Sequence, residues 1–148
     1  MPSKHTHVLA FGTFDLLHPG HIWFLRQAAK LGKLTAVVAR DINVLKLKGV
    51  KPVQKESVRL KAVQDLDFVN QVLLGQRKFD HRYSLVKKLR PDIICLGYDQ
   101  RTRTRSLKHD LSQLGLSPII IRIPSFHPHL YKSSKLRRAY KKAPLPRL

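Results

Sequence analysis

The stretch FGTFDLLHPGH, residues 11–21, follows the apolar run VLA and carries two histidines, His18 and His21, on either side of a proline and a glycine. Pro19 is typical of the first turn of a helix, where its missing N–H is not needed. The stretch therefore predicts a strand that turns at Gly12 into a helix, with both imidazoles on one side of the first helical turn. The unpaired N–H groups and positive dipole end of such a helix form an anion site.

Short apolar runs alternate with helix-like segments along the chain, which is typical of a parallel sheet covered by helices on both faces. The predicted strands are residues 7–12, 34–39, 69–74, 92–97 and 118–123. The predicted helices are residues 19–31, 54–66, 81–90 and 106–115, with a short basic helix from residue 133. Residues 40–52, which contain Gly49 and Pro52, are predicted to be a loop.

These elements predict an α/β fold, a single Rossmann-like doubly wound domain with a five-stranded parallel sheet. Its body spans residues 1–131, and residues 132–148 add a basic C-terminal helix and tail to the same domain. Ligands bind such sheets beyond the carboxyl ends of the strands, where the strand order reverses. We therefore expect residues 12–21, 40–49 and 97–101 to meet at that edge.

Positive charge dominates the composition, because 29 Lys and Arg stand against 9 Asp and Glu and give a net charge of +20 in 148 residues. Such a field attracts polyanions, among them nucleotides, phosphorylated metabolites, nucleic acids and acidic membrane surfaces, but it does not determine the fold. Residues 132–148 carry seven cations and no acid, and residues 101–108 hold a second cluster, Arg101, Arg103, Arg105 and Lys108. Each cluster is equally consistent with a solvated surface that only aids solubility.

Cys95 is the only cysteine and lies in the apolar run DIICLG, residues 92–97. One cysteine forms no intrachain disulfide, so we expect a buried structural thiol in a reducing compartment. The N-terminal residues lack the apolar stretch of a signal peptide, and no run approaches the roughly 18 apolar residues of a membrane helix. The sequence predicts a cytoplasmic protein without a membrane span.

The histidine pair has three interpretations on spacing alone. Two imidazoles at a helix N-terminus can donate hydrogen bonds to phosphate oxygens, and these bonds strengthen as negative charge develops during displacement at phosphorus. Histidines three residues apart can also ligate zinc, although no partner motif accompanies them. In the third interpretation, His18 caps the helix and His21 is a packed core residue.

The segment GTFDLLHPGH, residues 12–21, resembles the signature of the cytidylyltransferase-like nucleotidyltransferase superfamily, a GTFD segment followed by H-x-G-H. Further similarities occur in the order that this superfamily has: KLKG at 46–49, Arg59, LGYDQ at 96–100 and KSSK at 132–135. Within the superfamily, the pattern is most similar to archaeal-type FAD synthases. The first motif is almost as similar to that of glycerol-3-phosphate cytidylyltransferases.

The resemblance implies an enzyme that transfers a nucleoside monophosphate from a triphosphate to a phosphorylated acceptor and releases pyrophosphate, with ATP and FMN as the first choice of substrates. It implies catalytic roles for His18 and His21 at the α-phosphate and for Lys48 between the phosphates of acceptor and nucleotide. Mg²⁺ is implied as part of the nucleotide substrate, with no protein ligand assigned, and Asp15 is expected to be structural. A homodimer is implied in the same way.

The resemblance also implies where the substrates are held. Asp99 is expected to accept hydrogen bonds from the ribose or base, and Ser133 and Ser134 to bind the β- and γ-phosphates. The nucleotide-binding set is Gly12, Thr13, Phe14, His18, His21, Asp99, Ser133 and Ser134. The set expected to contact the acceptor or a phosphate is Lys46, Lys48 and Arg59.

Two other functions remain open at the level of sequence. A cytidylyltransferase would use CTP with glycerol 3-phosphate or a similar phospho-alcohol, because base and acceptor choice depend on pocket shape. A protein of another class would use the nucleotidyltransferase fold as a basic RNA-binding module, with the tail neutralising phosphates.

Overall fold

Five parallel strands form one sheet in the order β3-β2-β1-β4-β5. The computed structural model describes residues 6–78, 81–100 and 102–126. The strands are β1 (His7–Gly12), β2 (Lys33–Val38), β3 (Gln71–Leu74), β4 (Ile93–Gly97) and β5 (Ile119–Ile123). The helices are α1 (Pro19–Ala29), α2 (Asp41–Lys48), α3 (Glu56–Gln64), α4 (Ser84–Leu89) and α5 (Thr104–Gln113). The predicted doubly wound α/β sheet is confirmed.

Each face of the sheet has its own apolar core, because successive side chains of a strand point to opposite sides. Val8 and Ala10 of β1 pack on one face with side chains of α1 and α3, including Leu25 and Val63. Leu9 packs on the other face with side chains of α4 and α5, including Val86, Leu107 and Leu111. The central strands are therefore apolar almost throughout, as expected for strands covered on both sides.

Residues 41–48 form helix α2, so the prediction of a loop over residues 40–52 is wrong for this part. The helix ends at Gly49, which has a φ of 77° and whose N–H donates to the Leu45 carbonyl at 2.8 Å. Only Val44 is buried in α2, whereas Ile42, Leu45 and Leu47 are exposed. The segment thus lacks the single apolar stripe by which a surface helix is recognised in a sequence.

The strand order reverses at β1, which lies between β2 and β4. The Ala39 N–H donates to the Gly12 carbonyl at 2.9 Å and joins the ends of β2 and β1. The Gln100 side chain donates from Nε2 to the Phe11 carbonyl at 2.7 Å and accepts at Oε1 from the Gly97 N–H at 2.8 Å, which joins the ends of β4 and β1. The segments after β1, β2 and β4 thus meet at one edge, as predicted.

Cys95 is fully buried in β4, and burial raises the pKa of its thiol to about 12, so the expectation of a structural thiol is confirmed. In residues 6–78, 81–100 and 102–126, no helix has the length and apolar character that crossing a bilayer requires.

Candidate active site

The HPGH segment builds the start of α1 from its own side chains. His18 is the residue that caps the helix, and its Nδ1 accepts a hydrogen bond from the Gly20 N–H at 3.1 Å. The Nδ1 of His21 accepts in return from the His18 N–H at 3.4 Å. This reciprocal pattern is a capping box in which two histidines replace the usual hydroxyl and carboxyl residues. The two rings stack with centroids 3.7 Å apart.

Two glycines make room for aromatic side chains at this turn. A Cβ on Gly20 would stand 2.9 Å from Cε1 of His18, so the imidazole folds over the helix start only because residue 20 has no side chain. A Cβ on Gly12 would stand 2.5 Å from the Phe14 ring. The Phe14 ring therefore fills the place that a side chain at residue 12 would take, while the Gly12 backbone lines the cavity described below.

Both imidazoles are neutral near pH 7. Burial lowers the pKa of His18 from 6.5 to about 4, although the negative charge of Asp99 raises it. Burial lowers the pKa of His21 as well, and electrostatic interactions with His18 and with the charge of Lys48 lower it further. A neutral imidazole that accepts a hydrogen bond at Nδ1 carries its proton at Nε2. Each ring therefore has an Nε2–H as its donor, without the charge that would make two stacked imidazolium ions repel each other.

The turn between β1 and α1 has a strained backbone and is held by hydrogen bonds to the segment before α3. Phe14 and Leu16 have φ values of 54° and 51°, a left-handed backbone that costs each of them about 1 kcal/mol. Between them, the buried carboxylate of Asp15 accepts hydrogen bonds from the N–H groups of Val53 at 2.7 Å and Gln54 at 3.0 Å. Asp15 is thus a structural carboxylate that holds the strained turn to the segment before α3.

Phe14 and Thr13 contact residues that shape the site, namely His21 and Arg59. The Phe14 ring is buried and meets the His21 ring edge-on, with centroids 5.7 Å apart and planes at 81°. The Thr13 carbonyl accepts from Arg59. The Phe14 side chain is thus closed off from solvent, whereas Thr13 is partly exposed.

Arg59 is fully buried, and each of its guanidinium nitrogens donates to a protein acceptor. Nε donates to the Gln54 carbonyl at 3.0 Å, one terminal nitrogen to the Thr13 carbonyl at 2.7 Å and the other to the Asp41 carboxylate at 2.6 Å. The expectation that Arg59 contacts the acceptor or a phosphate is wrong in this geometry. Arg59 instead joins the β1–α1 turn to the start of α2.

Lys48 and Asp99, from the segments after β2 and β4, change the pKa values of the two histidines. Lys48 ends α2 and its charge lowers the pKa of His21, whereas Asp99 follows β4 and its charge raises the pKa of His18. Lys46 and Lys48 are both exposed, and they point to different sides of α2 because they are two residues apart on a helix. Lys48 is the lysine of this helix whose charge lowers the pKa of His21.

Glu56 and Gln100 position the site, although neither is among the predicted site residues. The Glu56 carboxylate accepts from Arg40 at 2.8 Å and from the Asp41 N–H at 3.0 Å, so it ties the start of α2 to the start of α3. Gln100 ties the turn that carries Asp99 to β1. The signal for Gln100 was its place in LGYDQ, directly after a predicted strand at the ligand-binding edge.

Ser133, Ser134 and the basic tail lie outside the described residues. The described chain leads toward the site, however, since Phe126 stacks on Trp23 of α1 with ring centroids 5.6 Å apart. The carbonyl oxygen of Phe126 lies 3.7 Å from the position that a Cβ on Gly20 would take. The last described residue thus lies beside the first turn of α1.

A cavity of about 150 Å³ opens beside the histidine turn, on the α4 side of the sheet. Its walls are partly apolar, with Phe11, Val37 and Leu85, and two cationic side chains, Arg40 and Arg82, line it as well. The ends of β1, β2 and β3 contribute Gly12, Ala39 and Gly75. In the part of the chain that the structure describes, no group of three His, Cys, Asp or Glu side chains is arranged to hold a metal ion.

Fold and site together define the class of this protein: a doubly wound α/β domain with a histidine pair at the first βα turn, at the edge where such sheets bind ligands. The family model described as cytidylyltransferase-like matches residues 9–139. The chain belongs to this family.

Similar proteins agree with this assignment. A protein named FAD synthase from Methanosarcina barkeri is 48% identical over 120 residues, which are 80% of this chain and 84% of that protein. Another FAD synthase, from Thermoplasma acidophilum, is 42% identical over 132 residues, covering 88% of this chain and 91% of that protein. The crystal structure of a lipopolysaccharide core biosynthesis protein from Thermoplasma volcanium superposes with a TM-score of 0.76 at 37% identity, covering 82% of this chain and 98% of the other.

Proposed function

We propose that this protein transfers AMP from ATP to FMN, giving FAD and pyrophosphate. One observation supports the proposal: two neutral imidazoles, each fixed through Nδ1 to the backbone of the α1 start, carry their protons at Nε2 and feel the charges of Lys48 and Asp99. The high identity to proteins named FAD synthase supports FMN as acceptor and ATP as donor.

In the proposed reaction, a phosphate oxygen of FMN attacks the α-phosphorus of ATP. A new P–O bond forms as the bond from the α-phosphorus to the oxygen bridging to the β-phosphate breaks, and that oxygen leaves with pyrophosphate. The acceptor phosphate is already ionised at neutral pH, so no general base is needed. The Nε2–H groups of His18 and His21 donate to the α-phosphate oxygens, where negative charge develops, and the positive end of the α1 dipole acts in the same direction.

The other roles follow from position. Lys48 offsets the repulsion between the FMN and ATP phosphates, and Asp99 accepts hydrogen bonds from the ribose or the base. We assign the β- and γ-phosphates to Ser133 and Ser134. Arg59 is a positioning residue that holds the β1–α1 turn. Mg²⁺ enters as part of the Mg·ATP substrate, and the reaction takes place in the cytoplasm.

We place the flavin ring of FMN at the cavity beside Gly12. A flat aromatic ring suits walls made by Phe11, Val37 and Leu85, and the Arg40 and Arg82 side chains suit its electron-rich carbonyl edge. The cavity opens next to the β1–α1 turn, so the FMN phosphate would extend from it toward His18 and His21.

The test compares pyrophosphate release from Mg·ATP with FMN and from Mg·CTP with glycerol 3-phosphate, with FAD identified chromatographically. We expect release with the first pair, and FMN fluorescence is expected to be quenched on binding. Release with the second pair alone would identify a cytidylyltransferase and contradict the proposal. A second test uses the variant His21→Ala. We expect its turnover to be lower by about 10²-fold or more, without a comparable loss of nucleotide affinity.

A further inference from the structure

Strand β5 carries one charged side chain in an otherwise apolar run. Its sequence is IIIRI, residues 119–123, and its parallel pairing with β4 sets Arg122 beside Leu96. Ile121 and Ile123, the neighbours of Arg122, pack on the face of the sheet covered by α1 and α3. Since successive side chains of a strand point to opposite faces, Arg122 lies on the other face, which α4 and α5 cover. The apolar pattern of the strand does not account for a cation at this position.

The Arg122 guanidinium donates hydrogen bonds to the backbone of the turn that follows β4. One terminal nitrogen donates to the Gly97 carbonyl at 2.8 Å and to the Gln100 carbonyl at 3.0 Å, and the other donates to the Thr102 carbonyl. A guanidinium presents its donors in a rigid planar fork, whereas the ammonium group of a lysine is a compact point charge on a flexible stem. The fork of Arg122 therefore holds this turn at three points.

The turn after β4 is thus tied to the strand on either side of it. The Gln100 side chain joins it to β1 through the Phe11 carbonyl, and Arg122 joins it to β5. Both ties act on backbone atoms or on side chains that reach backbone atoms. The path of the turn is therefore set by hydrogen bonds from neighbouring strands.

Asp99 lies in the part of the turn that Arg122 holds. Its Oδ1 lies 3.5 Å from the position that a Cβ on Gly97 would take, so the carboxylate folds back over the end of β4. The charge of Asp99 also raises the pKa of His18. Because the Asp99 side chain is exposed, the backbone of the turn, and not burial, sets where its carboxylate stands relative to the histidine pair.

We propose that Arg122 is a positioning residue for nucleotide binding, which holds the turn after β4 so that the Asp99 carboxylate meets the nucleoside of ATP. The inference rests on the proposed function, in which Asp99 accepts hydrogen bonds from the ribose or the base. Arg122 itself touches no substrate in this role. A contact to the nucleoside is made equally in the ground state and in the transition state, so its loss weakens ATP binding more than it lowers kcat.

The test measures the affinity of the full chain for Mg·ATP by isothermal titration calorimetry without FMN, so the readout does not depend on turnover. The test variant, Arg122→Lys, keeps the positive charge and removes the planar fork. The control variant, Arg90→Lys, makes the same exchange at an exposed arginine that precedes β4, at the opposite edge of the sheet. Both variants keep the net charge of the parent.

We expect Arg122→Lys to bind Mg·ATP about 10-fold more weakly, the scale of losing a hydrogen bond to a charged group. Arg90→Lys is expected to stay within about 2-fold of the parent. Mg·pyrophosphate is expected to bind the parent and both variants equally, because it has no nucleoside. In turnover assays with FMN, Arg122→Lys is expected to raise KM for ATP and to leave KM for FMN and kcat close to those of the parent.

A double-mutant cycle with Asp99→Ala tests whether Arg122 acts through Asp99. In that case, adding Arg122→Lys to Asp99→Ala weakens Mg·ATP binding by no more than about 2-fold further. A merely structural role of Arg122 predicts a different result, because it would reduce the amount of folded protein and leave the affinity of the folded fraction unchanged.

Four results would overturn the proposal. The parent chain does not bind Mg·ATP, or Arg122→Lys binds it as tightly as the parent does. Arg122→Lys loses as much affinity for Mg·pyrophosphate as for Mg·ATP, which would mean that Arg122 acts on the phosphates. Finally, the losses of the two single variants multiply in the double variant. A parent chain that binds Mg·ATP but releases no pyrophosphate with FMN would contradict the proposed function instead, and the calorimetry would still decide the role of Arg122.

Discussion

His18 uses its two ring nitrogens for two different purposes. Nδ1 accepts from the Gly20 N–H and caps α1, and Nε2 carries the proton that is donated to the α-phosphate in the proposed reaction. The capping interpretation and the phosphate interpretation of this histidine are therefore compatible. A substitution that removes the whole ring lowers both the stability of the protein and its rate of catalysis. Separating the capping role from the catalytic role therefore takes two variants, one of which keeps the cap.

Replacing His18 by asparagine or by alanine separates these contributions. Asparagine is a good N-cap residue without an imidazole donor, whereas alanine provides neither cap nor donor. We expect both variants to lower kcat by about 10²-fold or more. Only His18→Ala is expected to lose about 1 kcal/mol in the free energy of unfolding. Denaturant unfolding and turnover assays on both proteins check this, and wild-type turnover in His18→Asn would exclude the Nε2–H as a donor.

The lowered pKa of His18 predicts how stability depends on pH. Between pH 6.5 and about 4, the folded protein leaves this imidazole neutral while the unfolded chain protonates it. Stability is therefore undiminished above pH 6.5 and falls as the pH decreases toward 4, by about 3 kcal/mol from this residue. His21 acts in the same direction. Unfolding free energies measured across this range in wild type and His18→Asn test the prediction, which requires a flatter profile in the variant.

Helix α2 is anchored at its start and exposed at its end. Asp41 accepts from the buried Arg59 guanidinium, and Glu56 holds the Asp41 N–H, whereas every residue from Leu45 to Lys51 is exposed. The anchored end fixes the direction of the helix. In the proposed reaction, the exposed end presents Lys48 to the phosphates without burying its charge.

The geometry of α2 predicts different effects for its two lysines. Lys48→Met is expected to lower kcat by about 10-fold or more, because it removes the charge that acts on His21 and on the phosphates. Lys46→Met removes the same charge from another side of the helix and is expected to have little effect. Since both side chains are exposed, both variants should unfold within about 0.5 kcal/mol of wild type. Equal losses of kcat in the two variants would show that the net positive charge of α2 matters and the position of Lys48 does not, which would contradict the prediction.

The sequence predicted the elements that carry a regular apolar pattern and missed the one that does not. Strands β1, β2 and β4 appear as apolar runs because both of their faces are buried. Helix α2 buries only Val44, so local sequence contains little trace of it. Its start is stabilised by Arg59 and Glu56 from later in the chain, and such contacts have no signal in a local pattern.

At the scale of the whole molecule, the net charge of +20 opposes the compact state through self-repulsion. Added salt screens this repulsion, so we expect Tm to rise by a few degrees as sodium chloride increases from low to moderate ionic strength. Chloride is used because sulfate resembles the phosphates of the proposed reaction, and its binding would add a stabilisation other than screening. Scanning calorimetry checks the result. The Lys87→Gln/Lys88→Gln/Lys108→Gln variant is expected to show a weaker rise, and a Tm that falls with salt would contradict the explanation.

The sequence by itself determined the parallel sheet, the βα turn at residues 11–21 and the types of residue gathered at one edge, because apolar periodicity and Pro, Gly and His spacing are local properties. Only the tertiary structure decided that the buried Arg59 holds the β1–α1 turn through the Thr13 carbonyl. It also decided that the Phe14 ring fills the place that a side chain at residue 12 would take. It also decided that both imidazoles stay neutral. Burial and hydrogen bonding between distant segments set these properties, and they arise only when the chain has folded.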